Sequence, residues 1–126
     1  MMVRLAEEMA VLPGFSIAEW IDPPCPAEGP MPVAPLHLHR ECDEAWIVLE
    51  GRLIVQVGDE EVECLPGACV GVPRGTPHTY WNPDPVPAKY LLVMMEKTRR
   101  LIEALHQPGD LTYAQIFEAH DAELLA

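Results

Sequence analysis

The stretch Pro35-Leu36-His37-Leu38-His39-Arg40-Glu41-Cys42-Asp43-Glu44 puts two histidines two residues apart and a glutamate shortly after them. Residues two apart share one face of a strand, so His37 and His39 point the same way if this segment is extended. On a helix they would diverge by about 200°. A second stretch, Pro73-Arg74-Gly75-Thr76-Pro77-His78-Thr79-Tyr80-Trp81-Asn82, supplies a third histidine, on the face that it shares with Thr76 and Tyr80. Three imidazoles and one carboxylate can hold a divalent transition metal and leave coordination positions open. An HxH pair alone is a weak sign of this. The glycines and prolines around it strengthen the reading: Gly51 ends the strand that Glu44 begins, and Gly67, Pro73 and Gly75 frame the approach to His78.

Working outward, residues 36–93 read as short strands separated by turns. Glu44 to Glu50, Leu53 to Val57, Cys69 to Val72, His78 to Trp81 and Lys89 to Met95 are predicted strands, and Gly58-Asp59 is a two-residue hairpin loop returning through Val62 and Cys64. Upstream, Phe15 to Ile21 has apolar residues at alternating positions and reads as a first strand. The proline-dense segment 23–35 cannot be a central strand or a helix, because proline brings no ladder donor. It is expected to run along the rim of the site or to act as a plain connector. Close-set strands and turns of this kind argue for an antiparallel sandwich or barrel. The tail differs. Leu101, Ile102 and Leu105 fall at helical spacing within Lys97 to His106, Pro108-Gly109 breaks that helix, and Thr112 with Gln115 is a capping-box pattern opening a second. Two short helices are expected outside the barrel or against a partner subunit.

The motif residues together resemble the cupin superfamily. Its first motif ends HxH, four residues, Glu, six residues, Gly, matched here by His37, His39, Glu44 and Gly51. Its second is Gly, five residues, Pro, one, Gly, two, His, three, Asn, matched by Gly67, Pro73, Gly75, His78 and Asn82. The chain departs from the pattern at Met31, where the first motif usually opens with glycine, and at Ala68, where many members carry an acid. The resemblance implies an all-β double-stranded β-helix (jelly-roll barrel) over about residues 15–95, with a helical tail over about 97–126, as a single domain. It implies His37, His39, Glu44 and His78 as ligands of Fe, Mn, Ni, Co or Zn. Trp46, Tyr80 and Cys42 are candidate pocket residues. Gln56 is expected to point away from the interior, because Leu53, Val55 and Val57 share the inward face. A metal with open positions suits a dioxygenase-type enzyme acting on a small organic molecule. A non-enzymatic binding or sensing module and a sugar isomerase or epimerase are the alternatives.

The bulk properties limit the partners. The chain has 126 residues, 49% of them apolar, which suits one domain rather than a disordered segment. Its formal net charge of −12 disfavours nucleic acid and anionic membrane surfaces. Residues 1–14 carry Arg4, Glu7 and Glu8 and lack the apolar stretch of a secretory signal, so a cytoplasmic location is expected. There Cys25, Cys42, Cys64 and Cys69 are expected as reduced thiols. Arg40, Arg52 and Arg74 read as surface groups, and His106 is accounted for by a helix C-terminus. Ala45, Ile47 and Leu49 make the Glu44 strand apolar on its second face too, so that face needs cover, and a homodimer is expected to supply it.

Overall fold

A computed structural model describes residues 7–125. Arg4, and with it the first part of the segment read above as lacking a secretory signal, lies outside them. Among the described residues, ten strands and two helices follow in the order β1 (Glu7–Val11), β2 (Ser16–Asp22), β3 (His37–His39), β4 (Glu44–Glu50), β5 (Leu53–Val57), β6 (Glu60–Cys64), β7 (Cys69–Val72), β8 (His78–Trp81), β9 (Ala88–Met94), α1 (Glu96–His106), α2 (Tyr113–Ala119) and β10 (Ala122–Leu124). The strands form two five-stranded sheets, β1-β2-β9-β4-β7 and β10-β3-β8-β5-β6, antiparallel throughout. This is the expected jelly roll.

Alternation sorts the side chains. On β4, Glu44, Trp46 and Val48 are buried between the sheets, and on β5 Leu53 and Val55 are fully buried. Gln56 stays off that face and donates to the Gly58 carbonyl at 3.2 Å. On β2 the buried set is Ser16, Ala18, Trp20 and Asp22, so the apolar alternation of Phe15, Ile17 and Ile21 faces outward, with Phe15 and Ile21 exposed. Trp20 brings the largest apolar surface on the strand, and its side of the sheet is the one that meets the core.

Two glycines are required by geometry. Gly51 has φ +72°, and a Cβ there would lie 2.7 Å from the Pro87 carbonyl oxygen. Gly51→Ala is expected to cost about 2 kcal/mol or more, because the left-handed conformation and a backbone clash add. A urea midpoint within experimental error of wild type would contradict this. Gly75, at φ +78°, donates its N–H to the His39 carbonyl at 2.7 Å and so ties the two motif segments together. Asn82 does the same for the proline-rich segment: its amide donates to the carbonyls of Pro23 (3.0 Å) and Val86 (2.7 Å).

The tail does not sit outside the barrel. Leu101 and Leu105 of α1 and Ile116 and Phe117 of α2 form a second apolar cluster with Ala122, and the helices roof the mouth of the barrel. Thr112 and Gln115 make the anticipated reciprocal cap. Asp121, with φ 56°, then turns the chain into β10, which pairs with β3 and completes the sheet that carries the histidines. A three-residue strand is too short for its periodicity to be read in advance.

Candidate metal centre

β3 and β8 lie side by side with His37 directly opposite His78, so register alone puts two imidazoles together. His39 follows on the same face. Glu44 comes from the facing sheet, at the start of β4. All four side chains are buried, and one donor atom from each lies within 4.8 Å of the others. Such a group can hold a metal ion. The Glu44 Oε1 approaches His39 Nε2 at 2.6 Å and His78 Nε2 at 3.9 Å.

The orientation of two rings is set by backbone. His37 Nδ1 sits 2.7 Å from the Pro35 carbonyl and His78 Nδ1 2.9 Å from the Thr76 carbonyl. A carbonyl only accepts, so each Nδ1 carries the proton and each neutral ring turns its Nε2 lone pair inward. The Nε2 atom of His78 is buried without a hydrogen-bond partner, and that of His39 meets only the Glu44 carboxylate. Lone pairs converging on one buried point are costly unless a cation or donor meets them, so the residues fit a metal.

Burial, and then the neighbouring His78 and His39, lower the His37 pKa from 6.5 to about 4. Burial lowers that of His78 as well. For Glu44 burial is the largest influence and acts upward, but His39, His78 and His37 together overcome it and hold the carboxyl at about 2 against an ordinary 4.5. The sign for stability follows. Between pH 6.5 and about 4 the unfolded chain takes up a proton at His37 that the folded chain refuses, and between 4.5 and about 2 the same holds at Glu44. The metal-free protein is therefore expected to be most stable above pH 6.5 and to lose stability steadily on acidification. Urea midpoints taken from pH 7.5 down to 4 would show this, and a midpoint that rises on acidification would contradict it.

A cavity of about 70 Å3 opens from the cluster. Trp46 and Tyr80 line it, as do Val33 and Ala34, so the proline-rich segment does reach the rim. The roof is Thr98, Leu101, Ile102 and Leu105 of α1 with Phe117 of α2, whose ring stands 5.3 Å from that of His37. Cys42 is a correction: it is buried but does not line the cavity, because it lies in the turn between β3 and β4 rather than on a strand face. The three arginines are at the surface in ion pairs, Arg40 with Glu118, Arg52 with Asp84 and Glu63, and Arg74 with Asp43. His106 and His120 bond back to their own helices, at Ile102 and Ile116.

A family model described as Cupin domain (Cupin_2) matches residues 29–94, just over half of the chain. The chain belongs to the cupin family. Among curated relatives, this cupin is 37% identical over 46 residues to quercetin 2,3-dioxygenase of Bacillus subtilis (strain 168), covering 36% of the chain and 14% of that enzyme. It is 36% identical over 56 residues to an uncharacterised protein of Methanocaldococcus jannaschii, covering 44% of the chain and 45% of that protein. Both matches thus span less than half of the relative. Among solved structures, TT1209 of Thermus thermophilus superposes with a TM-score of 0.62 at 26% identity, over 72% of this cupin and 81% of that chain. A cupin-superfamily sugar phosphate isomerase from Silicibacter pomeroyi superposes with a TM-score of 0.56 at 28% identity, over 66% and 51%.

The fold also assembles parts of this cupin that its motifs do not announce. Tyr90 donates to Asp22 Oδ1 at 3.0 Å, and the Tyr80 and Tyr90 hydroxyls meet at 2.9 Å. Since the Tyr90 proton is committed to Asp22, Tyr80 donates to Tyr90. This buried chain holds the Tyr80 ring against the cavity wall. Burial pushes both phenols up, so they stay protonated. The signal for Asp22 in the sequence is faint: it is an acid at an inward position of β2. Thr98 is likewise seen in hindsight, three residues before Leu101 and seven before Leu105 on one helix face.

Proposed function

We propose that this protein is a metal-dependent cupin in which His37, His39, Glu44 and His78 hold a divalent ion that takes a small organic molecule, with dioxygenase-type chemistry as the leading reaction. The observation that carries this is the convergence of four buried donor atoms within 4.8 Å beside a largely apolar cavity. A bound ion of the Fe, Mn, Ni, Co or Zn class would supply Lewis-acid polarisation and open coordination positions. The chain's own residues do the rest. The Pro35 and Thr76 carbonyls aim His37 and His78, Glu44 supplies the one negative charge, and α1 and α2 give the cavity an apolar wall. The partial likeness to a quercetin dioxygenase supports oxygen chemistry over the other cupin reactions.

The test is oxygen uptake by the Fe(II)-loaded protein with a panel of small enols and thiols, expected to exceed that of free Fe(II). No excess across the panel would overturn the dioxygenase reading. Ligand-induced thermal shifts without turnover would favour the binding module. The isomerase alternative draws on the Silicibacter pomeroyi neighbour, but among the described residues no lysine or arginine lines the cavity to meet a sugar phosphate.

We also read the protein as a cytoplasmic homodimer. The four cysteines are free thiols, which suits a reducing compartment. Register places Ile17, Val93 and Ala45 in one row across the outer face of the first sheet, and Leu91 and Ile47 in the next. A second copy would cover this apolar face. Light scattering is expected to give twice the 14.0 kDa of one chain, and a monomeric mass at micromolar concentration would overturn the dimer.

A further inference from the structure

The space beside the cluster is small. At roughly 10–15 Å3 for each water in this measure, about 70 Å3 holds on the order of five waters. That space suits a short molecule and not a three-ring flavonol. It also restricts charge. The walls away from the cluster are almost wholly apolar, with Trp20, Val33, Leu92, Leu101, Leu105 and Phe117 prominent, and among the described residues no lysine or arginine lines them. With three neutral imidazoles and the Glu44 carboxylate, a divalent ion leaves one net positive charge. A singly charged ligand neutralises it. A phosphate dianion would leave an unpaired negative charge against apolar walls, which is unfavourable.

Two further groups on the walls ask for a partner. Thr98 is 3% exposed and its Oγ1 has no hydrogen-bond partner, and Trp20 is 5% exposed with its Nε1 unpartnered. Both residues line the cavity, one from the roof and one from the barrel. The indole can only donate, while the hydroxyl can donate or accept. A ligand oxygen within the cavity would satisfy them. Thr98 is the more telling of the two, because a valine would fill the same shape on a roof that is otherwise leucine, isoleucine and phenylalanine.

Resting on the metal reading above, we propose that the site takes a compact oxygen chelator, neutral or singly charged, with an apolar body and no more than about ten non-hydrogen atoms, and that the Thr98 hydroxyl is a specificity-determining contact to it. Sugar phosphates and flavonols fall outside this class.

The experiment uses the Co(II)-loaded protein, whose visible absorption reports ligation without turnover. Benzohydroxamate, a monoanionic chelator with a phenyl body, is titrated against it, with fructose 6-phosphate and quercetin in parallel. Benzohydroxamate is expected to shift the Co(II) bands saturably, and the other two to leave them unchanged at concentrations about 100-fold above its Kd. Thr98→Val should weaken benzohydroxamate about tenfold, with Co(II) stoichiometry and the unliganded spectrum unaltered, and Thr98→Ser should restore the affinity to within about threefold, as expected for one hydrogen bond. Failure of Co(II) to bind stoichiometrically would overturn the metal reading and this inference with it. Stoichiometric Co(II) with no benzohydroxamate response, with tighter fructose 6-phosphate, or with unchanged affinity in Thr98→Val would overturn this inference alone.

Discussion

Purified His78→Ala protein is expected to carry little or no transition metal by elemental analysis, where the wild type carries close to one ion per chain. His78 lies opposite His37 in the β3–β8 register, and its Nε2 is one of the buried atoms that has no other partner. Removing it takes away one of four donors and opens a gap beside the remaining three. Loss of a group that merely orients a ligand typically lowers metal affinity 10- to 100-fold, so loss of the ligand itself should cost at least about 100-fold. Folding should survive with a lowered urea midpoint, because the buried ring and its bond to the Thr76 carbonyl are lost while the strand ladders remain. Far-ultraviolet dichroism unchanged alongside absent metal is the expected pair of results. Full occupancy in the variant would remove His78 from the ligand set.

The second large effect is on stability. Phe117→Ala is expected to destabilise the protein by about 3–5 kcal/mol, read as a lowered urea midpoint at an unchanged slope. Phe117 is 1% exposed and sits where three parts of the structure meet: it packs with Leu101, Leu105, Ile116 and Ala122, it lines the cavity, and its ring faces that of His37. Truncation leaves a hole at the seam between roof and barrel that neither can collapse to fill. Phe117→Leu keeps most of the volume and should cost less than about 1.5 kcal/mol. Were the alanine variant as stable as wild type, the helices would be a loosely attached tail rather than a roof. Ion pairs across the same seam, Arg40 with Glu118 and Lys97 with Glu41 and Asp121, are largely exposed and are expected to add little to this.

What is legible in advance follows from locality. His37 and His39 declare a strand because two residues is the strand repeat, and Gly51 and Gly75 mark turns because their backbones take up left-handed conformations. The hairpin at Gly58-Asp59 and the cap at Thr112 are equally local. β2 is legible as a strand, but its inward face is not. The apolar alternation at Phe15, Ile17 and Ile21 points to the outer surface, while Ser16, Ala18, Trp20 and Asp22 face the core. Which face turns inward depends on what packs against the sheet. Cys42 shows the same limit from the other side. Proximity in sequence to His39 and Glu44 suggests the pocket, yet a turn residue need not share the direction of the strands that it joins.

The spacing of donors, glycines and prolines determined by itself that this chain builds a cupin barrel with three imidazoles and a carboxylate converging in its mouth, since register and alternation follow from a few neighbouring residues. Tertiary structure alone decided how that mouth is closed. The roof of α1 and α2, the return of the tail as β10 beside His37 and His39, and the buried Asp22–Tyr90–Tyr80 chain each join residues tens of positions apart. Such contacts depend on which apolar face of a helix finds which rim of a barrel, and a helix's own periodicity marks the face without naming what it will cover.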